Sequence, residues 1–309
     1  MKKFILILIA SILCLTYCKK DGPDPESNQD DKSKDTIANS KDNIDPEFVL
    51  KIGKELTYKY SDIEMYDSST HILYFTNNHP ELDDFEYSDI LSFIFFVDGD
   101  SIYYGDLWPT SYGILPIEAY IQTCPLKLQN YALWIEFREK GQPDFRNDSR
   151  IIEALKTRNL LHSGLFLKIN SLIVKSNQID FTFTITNQEQ SPLLILDPDK
   201  MGLNLFHYFS KGLVFRKSPD SPSITVKIPS ESPSSSKDWN INWLTKLGSG
   251  ESKTWTFNYP LDTPIDPGEY IVSFNYPGLS SQIERYQLIQ NTGRIWLGEV
   301  IAMQNIIIK

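Results

Sequence analysis

The chain has 309 residues, of which 41% are hydrophobic and 23% charged, and its 40 acidic and 30 basic side chains give a formal net charge of −10. This is an ordinary globular composition, which excludes a wholly disordered chain, a collagen-like repeat and a coiled coil. Because phosphate binding needs clustered Lys and Arg, the acidic balance argues against nucleic acid as a partner. The length suggests about two domains.

The N-terminal residues have the pattern of an export signal. Lys2 and Lys3 precede an unbroken apolar run, FILILIASILCL, at residues 4–15. A positive start followed by a short apolar run is typical of a secretory signal peptide. The run is shorter than the about 20 apolar residues that a membrane-spanning helix needs. We therefore predict that the chain is exported.

Residues 15–18, LTYC, resemble the lipobox of bacterial lipoproteins, which has the form Leu-x-x-Cys. The resemblance implies that residues 1–17 are a signal peptide and that Cys18 is diacylated and becomes the mature N-terminus. Tyr17 stands where the family prefers a small residue. Two acyl chains on one residue anchor a protein stably, which makes a bacterial membrane the expected partner, at the outer membrane or cell surface. The alternatives are an uncleaved anchor and an ordinary secretory peptide.

Residues 18–45 are predicted to form a lipidated, disordered and acidic tether. The only aliphatic residues after the cysteine are Ile37, Ala38 and Ile44. The segment therefore buries too little apolar surface to offset the entropy cost of ordering it. With Cys18 acylated, Cys124 would have no intramolecular partner, and we expect it to be a small buried residue rather than part of a disulfide.

Residues 46–160 are predicted to form an α+β domain with an antiparallel sheet and one helix. The strongest local signal is Asp98-Gly99 between apolar runs, which favours a hairpin because Gly tolerates positive φ. Asp148 can cap a helix over residues 149–159. Runs rich in aromatic and β-branched residues predict strands at 54–66, 70–76, 91–97, 101–107, 119–123 and 131–138.

Residues 161–309 are predicted to form a β-sandwich, which makes the whole chain mostly β. Residues 179–186, IDFTFTIT, alternate between apolar and polar side chains, as a half-buried strand does. Short strands separated by Gly and Pro turns are typical of sandwiches. The predicted strands are 165–174, 179–186, 193–196, 213–216, 224–228, 254–259, 270–276 and 296–308.

A short motif adds a family resemblance to this second domain. Residues 266–272, DPGEYIV, resemble the Asp-x-Gly-x-Tyr-x-Cys run of immunoglobulin-like (Ig-like) domains. The resemblance implies a structural tyrosine corner at Asp266, Gly268 and Tyr270, with Val272 in place of the cysteine. The wider layout is similar to Ig-like domains of bacterial surface proteins and of a bacterial proteinase-inhibitor family. Such a likeness implies fold more than function.

The sequence contains no motif that predicts a catalytic or metal site. His-Glu-x-x-His, Gly-x-Ser-x-Gly, a phosphate-binding loop and Cys-x-x-Cys are all missing from it. We therefore expect no metal and no cofactor. The acidic run at residues 81–89 is interpreted as a solvated loop or a helix N-terminus after Pro80. The four histidines, which show no metal-binding spacing, are His71, His79, His162 and His207.

An aromatic group offers a candidate binding site. Aromatic side chains that are exposed in a loop can stack on sugars or grip peptide side chains. The alternative is that Tyr103 or Tyr104 faces the core and that Trp108 closes the end of the hairpin. The candidate binding residues are Tyr103, Tyr104, Trp108 and Tyr112.

These observations favour a non-catalytic, membrane-anchored lipoprotein that binds a protein, peptide or glycan at the cell surface. One alternative is an exported hydrolase that uses two carboxylates among Asp98, Asp100 and Asp106. Another is a proteinase inhibitor with an Ig-like domain. Residues 46–160 contain ten basic and nineteen acidic side chains, whereas 161–309 contain thirteen of each. Any electrostatic selection of partners should therefore come from the first domain.

Overall fold

The computed structural model describes residues 45–84, 92–111, 116, 118–137, 143–218, 221–226, 228–235, 238–280 and 282–309. The described residues belong to one compact unit, Asn43–Lys309. The predicted signal peptide, Cys18, most of the tether and Tyr112 lie outside the described residues. None of the helices within these ranges is long and apolar enough to cross a membrane.

The first part of the chain forms a nine-stranded sheet with order β2-β1-β5-β6-β7-β8-β4-β3-β9. The pairs β6–β7 and β3–β9 are parallel, and the other neighbours are antiparallel. The strands are β1 (Phe48–Ile52), β2 (Leu56–Lys59), β3 (Ile63–Asp67), β4 (Ile72–Phe75), β5 (Ser92–Val97), β6 (Asp100–Pro109), β7 (Ala119–Thr123), β8 (Ala132–Phe137) and β9 (Leu161–His162). Helix α1 (Ser149–Thr157) precedes β9, and 3₁₀ helices lie at Tyr60–Asp62, Pro80–Leu82 and Phe145–Asn147.

Local signals account for two features of this part. Asp98 and Gly99, with φ of 50° and 87°, make the turn of the β5–β6 hairpin, which confirms that prediction. The Asp148 carboxylate accepts the backbone N–H of Arg150 and so caps α1, as predicted. The predicted strand at 54–66 is instead broken by a 3₁₀ turn, where the Asp62 carboxylate accepts the Lys59 N–H at 2.8 Å. This side-chain bond stabilises the turn against an extended chain.

The second part of the chain consists of three further sheets and three helices within the described residues. The strands are β10 (Leu165–Val174), β11 (Gln178–Asn187), β12 (Leu193–Leu196), β13 (Leu213–Arg216), β14 (Ile224–Thr225), β15 (Leu244–Leu247), β16 (Ser252–Pro260), β17 (Gly268–Pro277), β18 (Ile289–Gln290), β19 (Gly293–Ile295) and β20 (Glu299–Ile308). The helices are α2 (Pro198–Met201), α3 (Leu203–Ser210) and α4 (Arg285–Leu288), with a 3₁₀ helix at Ile241–Trp243. The sheet orders are β10-β11-β16, β15-β12-β19-β18 and β14-β13-β17-β20.

Two of these sheets face each other across an aromatic core. The rings of Phe181 and Phe183 on β11 lie 4.8 and 4.7 Å from the ring of Phe274 on β17. The mostly β fold is therefore confirmed, whereas the Ig-like topology stays a prediction. Helices α2, α3 and α4 were not predicted, because their short apolar stretches carry no long helical period.

One hydrophobic cluster joins residues from both predicted domains. Ile72 and Tyr74 of β4 belong to the same buried cluster as Phe181 and Phe274. In addition, the Tyr131 hydroxyl donates to the Ile283 carbonyl at 2.9 Å. The division at residue 160 stays a prediction, but the chain on its two sides shares packed core. Cys124, expected to be buried, is only half-buried.

Candidate functional site

Three of the four candidate binding residues, Tyr103, Tyr104 and Trp108, lie on β6, whose side chains alternate between two faces of the nine-stranded sheet. Tyr104, Asp106 and Trp108 point to the outer face. Tyr103 points into the core, where it is 5% exposed and its ring stacks on Phe95 with centroids 5.5 Å apart. Tyr104 is 56% exposed. The strand therefore separates Tyr103 from Tyr104 and Trp108, and Tyr103 faces the core, as one alternative expected.

Neighbouring strands add side chains to the outer face. Asp106 is in register with Tyr120 on β7, and Tyr120 is in register with Glu136 on β8. Trp108 is in register with Gln122. Paired residues share a sheet face, so aromatic, carboxylate and amide groups alternate across three strands. We define the aromatic face as Tyr104, Asp106, Trp108, Tyr120, Gln122, Trp134 and Glu136.

Lys127 closes one side of the aromatic face. Its Nζ lies 2.5 Å from Oε1 of Glu136 and 4.4 Å from the ring centroid of Trp134. The ammonium group therefore neutralises one carboxylate and covers one side of the Trp134 ring. Tyr104 is the most exposed aromatic residue on this face, while Trp108 is half-buried.

The carboxylates of the hydrolase alternative are not brought together. Asp98 lies in the hairpin turn, where Arg158 donates to its Oδ1 at 3.0 Å. Asp100 and Asp106 lie near opposite ends of β6, about 20 Å apart at about 3.4 Å per residue. The structure instead places Asp106 and Glu136 on either side of Tyr120. Sequence reasoning missed Glu136, because only the register of β7 and β8 reveals its position.

The histidines make separate local contacts. His71 Nδ1 lies 2.8 Å from the Tyr66 hydroxyl, and burial together with the Arg146 charge lowers the pKa of His71 to about 3. Burial lowers the pKa of His207 to about 4. Among the described residues, no group of three or more His, Cys, Asp or Glu side chains could hold a metal ion.

A buried charge cluster, which we define as Asp67, Glu189 and Arg294, lies away from this face. Arg294 Nη2 is 3.5 Å from Asp67 Oδ2 and 3.5 Å from Glu189 Oε1. Each of the three residues is less than 8% exposed. Glu189 also accepts the Gly164 N–H at 2.9 Å and lies 2.9 Å from His162 Nδ1. The cluster thus connects β3 and β9 with β19 and the loop after β11.

Burial and hydrogen bonding shift the pKa values of the two carboxylates in this cluster. Desolvation raises the pKa of Asp67 despite the nearby Arg294 charge. Burial also acts to raise the pKa of Glu189, but the hydrogen bonds from His162 and Gly164 outweigh it and lower that pKa. A closed cluster of paired charges without access to a substrate is a structural feature rather than a catalytic one.

The residues of the predicted tyrosine corner lie at the start of β17. The Tyr270 hydroxyl donates to the Asp266 carbonyl at 3.0 Å, which is the hydrogen bond that such a corner requires. Gly268 adopts φ of 150°, a conformation that a side chain would disfavour. Val272 is fully buried at the position of the missing cysteine. These residues stabilise the fold and form no part of the aromatic face.

Comparisons with known proteins assign no family to this chain. No family model matches the sequence, and no curated protein matches it. Among solved structures, 46% of the chain is similar to part of the crystal structure of beta-glucosidase from Kluyveromyces marxianus in complex with glucose, with 15% identity and a TM-score of 0.19. The match spans 14% of that enzyme's chain. A similarity this weak establishes no shared fold.

Proposed function

We propose that the protein is an exported bacterial lipoprotein, anchored through acyl chains on Cys18, that binds a neutral glycan at the cell surface without catalysing a reaction. The observation that carries the binding role is the aromatic face, where Tyr104 and Trp108 alternate with Asp106 along one strand. The LTYC motif supports the anchor. No metal or cofactor takes part in this proposal.

The chemistry of the aromatic face suits a sugar better than a peptide. The apolar face of a pyranose ring packs on an aromatic ring, and its hydroxyl groups donate to carboxylate and amide oxygens. Tyr104 and Trp108 lie about 13 Å apart along β6, at about 3.3 Å per residue. This span exceeds a single sugar ring, so we propose an oligosaccharide as the ligand. A few placed polar groups beside apolar surface is the usual composition of a small-molecule site.

Charge limits the kind of glycan. Asp106 and Glu136 both lie on the aromatic face, and Lys127 compensates only one of them. Residues 46–160 carry nineteen acidic and ten basic side chains. Acidic polysaccharides would therefore be repelled, and a neutral glycan is favoured.

We also propose that residues 161–309 form an Ig-like β-sandwich domain that presents or supports the first domain. The support consists of the two facing sheets with their aromatic core and the Tyr270–Asp266 hydrogen bond. This proposal concerns fold and adds no activity of its own.

Substitution of Tyr104 by alanine is expected to weaken binding of a neutral oligosaccharide by about tenfold, the effect of removing one exposed aromatic anchor. Binding is measured by calorimetry with full-length protein in a neutral detergent, against a panel of neutral and acidic oligosaccharides. Tyr286→Ala is the matched control, because Tyr286 is 82% exposed and lies outside the aromatic face. Equal affinities of the two variants would contradict the proposal.

The same assay separates binding from hydrolysis. A binding protein leaves the oligosaccharide intact after long incubation. Release of shorter products, abolished by Asp106→Asn, would replace the proposal with a hydrolase that uses Asp106 and Glu136, a different pair from the one considered from sequence, since these two carboxylates flank Tyr120 on one face.

The anchor has its own test. Cells that express the protein are grown with a labelled fatty acid, and the label is followed on the isolated protein. The wild-type chain is expected to carry label, and Cys18→Ala is expected to carry none, since the thiol is the acylation site. Cys14→Ala serves as the control and should stay labelled. Label on Cys18→Ala would refute the lipobox interpretation.

A further inference from the structure

Strand β16 has one edge that is open in the described structure. It is the edge strand of the three-stranded sheet, and it pairs with β11 on its other side. Within the described residues, no backbone–backbone hydrogen bond reaches Ser252–Pro260 other than through this ladder. A long open strand edge is a template for another extended chain.

The register shows which backbone groups of β16 point outward. At one end of the ladder the Asn187 N–H donates to the backbone carbonyl of Glu251. At the other end the Leu261 N–H donates to the backbone carbonyl of Asn177. In an antiparallel pair, hydrogen-bonded and non-hydrogen-bonded positions alternate. Counting from either end, the odd-numbered residues of β16, such as Trp255, make the backbone hydrogen bonds to β11. The N–H and C=O groups of the even-numbered residues, Ser252, Thr254, Thr256 and Asn258, point to the open edge.

The side chains of Ser252, Thr254 and Thr256 are already engaged with those of β11. The Thr254 and Thr184 hydroxyl oxygens lie 2.7 Å apart, and those of Thr256 and Thr182 lie 3.0 Å apart. Such cross-strand pairs stabilise the sheet. The outward backbone groups are therefore what β16 offers to a ligand.

A depression of about 300 Å³ runs beside this edge. The strand contributes Thr254–Phe257 to it, and helices α2 and α3 contribute Pro198, Asp199 and Leu203. Leu203 is 38% exposed, and the Asp199 side chain is 69% exposed. The edge thus lies next to one apolar and one acidic side chain.

We propose that β16 binds an extended segment of a partner protein, which adds a fourth strand to the three-stranded sheet. The partner's backbone would pair with Thr254 and Thr256, and its alternate side chains would enter the depression. In this mode, main-chain hydrogen bonds supply affinity, and pockets for alternate side chains supply specificity. The site is separate from the aromatic face and does not depend on glycan binding.

Charge indicates a basic and apolar segment. Lys253, the cation at this edge, is paired with Asp197 at 2.6 Å and with Asp199 at 3.4 Å. Lys200 of α2 donates to the Leu244 carbonyl at 2.7 Å, and Asp199 is the charged side chain in the lining of the depression, which it makes negative. A lysine or arginine of the partner can therefore pair with Asp199 while the apolar side chain two residues away, on the same face of the added strand, packs on Leu203.

The test uses full-length protein in a neutral detergent and a fluorescent nine-residue peptide in which lysine and valine alternate along one face and threonine occupies the other. Thr256→Pro removes an outward N–H and is expected to weaken peptide binding, measured by anisotropy, by at least about tenfold. Thr256→Ala loses the same hydroxyl but keeps the N–H, so it should bind as the wild type does. Unchanged binding by Thr256→Pro would overturn the proposal.

A second pair of probes does not depend on the folding of the proline variant. The peptide is N-methylated either at its odd or at its even residues. Because only one edge of an added strand faces β16, one of the two peptides should lose binding and the other should keep it. Equal binding of the two peptides would show that charge alone attracts them to the protein, and it would overturn the proposal. A dimer that Thr256→Pro dissociates, without peptide binding, would assign the edge to a second copy of the chain and also overturn the proposal.

Discussion

Substitution of Arg294 by methionine is expected to lower the free energy of unfolding by about 3 to 5 kcal/mol at pH 7. The side chain is 7% exposed and lies 3.5 Å from both Asp67 and Glu189. Removing it leaves two buried carboxylates without their cation, and desolvation then opposes their charge. Urea unfolding followed by tryptophan fluorescence measures the loss.

Arg285→Met is the matched control for Arg294→Met. Arg285 pairs with Glu64 at 3.0 Å, but both side chains are about one-third exposed. Such a pair contributes about 0 to 1 kcal/mol. The loss of unfolding free energy caused by Arg294→Met should also become smaller towards pH 4, since protonation removes the unpaired carboxylate charges. Equal losses for the two variants would show that the buried charge cluster does not stabilise the fold.

Acidification from pH 6.5 to 4.5 is expected to destabilise the wild-type protein by about 3 to 5 kcal/mol through two histidines, at about 1.4 kcal/mol per pH unit for each. The pKa values of His71 and His207 are lowered by burial to about 3 and about 4, from 6.5. The unfolded chain therefore binds protons in this range that the folded chain excludes. The stability they contribute is complete above pH 6.5 and is lost as the pH falls towards the folded pKa values.

His207→Leu is expected to remove about half of this pH dependence. The measurement is urea unfolding at several pH values, and the relevant quantity is the slope of stability against pH rather than its absolute value. His207→Gln should show the same reduced slope, because it also removes the titrating group while it keeps a polar side chain. A wild-type slope in both variants would show that His207 does not cause the acid sensitivity.

The aromatic face was only partly predictable from sequence. The pattern around the hairpin pointed to Tyr104 and Trp108, but it left open whether Tyr103 or Tyr104 faces the core. A register shift between Phe95 and Phe96 lies beside these residues, so simple alternation from the hairpin could not decide it. Gln122 and Glu136 join the face through strand pairing, which leaves no local signal.

The sequence by itself determined the features that depend on neighbouring residues: the Asp98-Gly99 hairpin, the Asp148 cap, the mostly β composition and the motif around Tyr270. Each rests on interactions within a few residues. Only the tertiary structure decided that Asp67, Glu189 and Arg294 meet in the core and that β16 lies at a sheet edge. Those features depend on contacts between segments far apart in the chain, and local patterns do not encode which distant strands become neighbours.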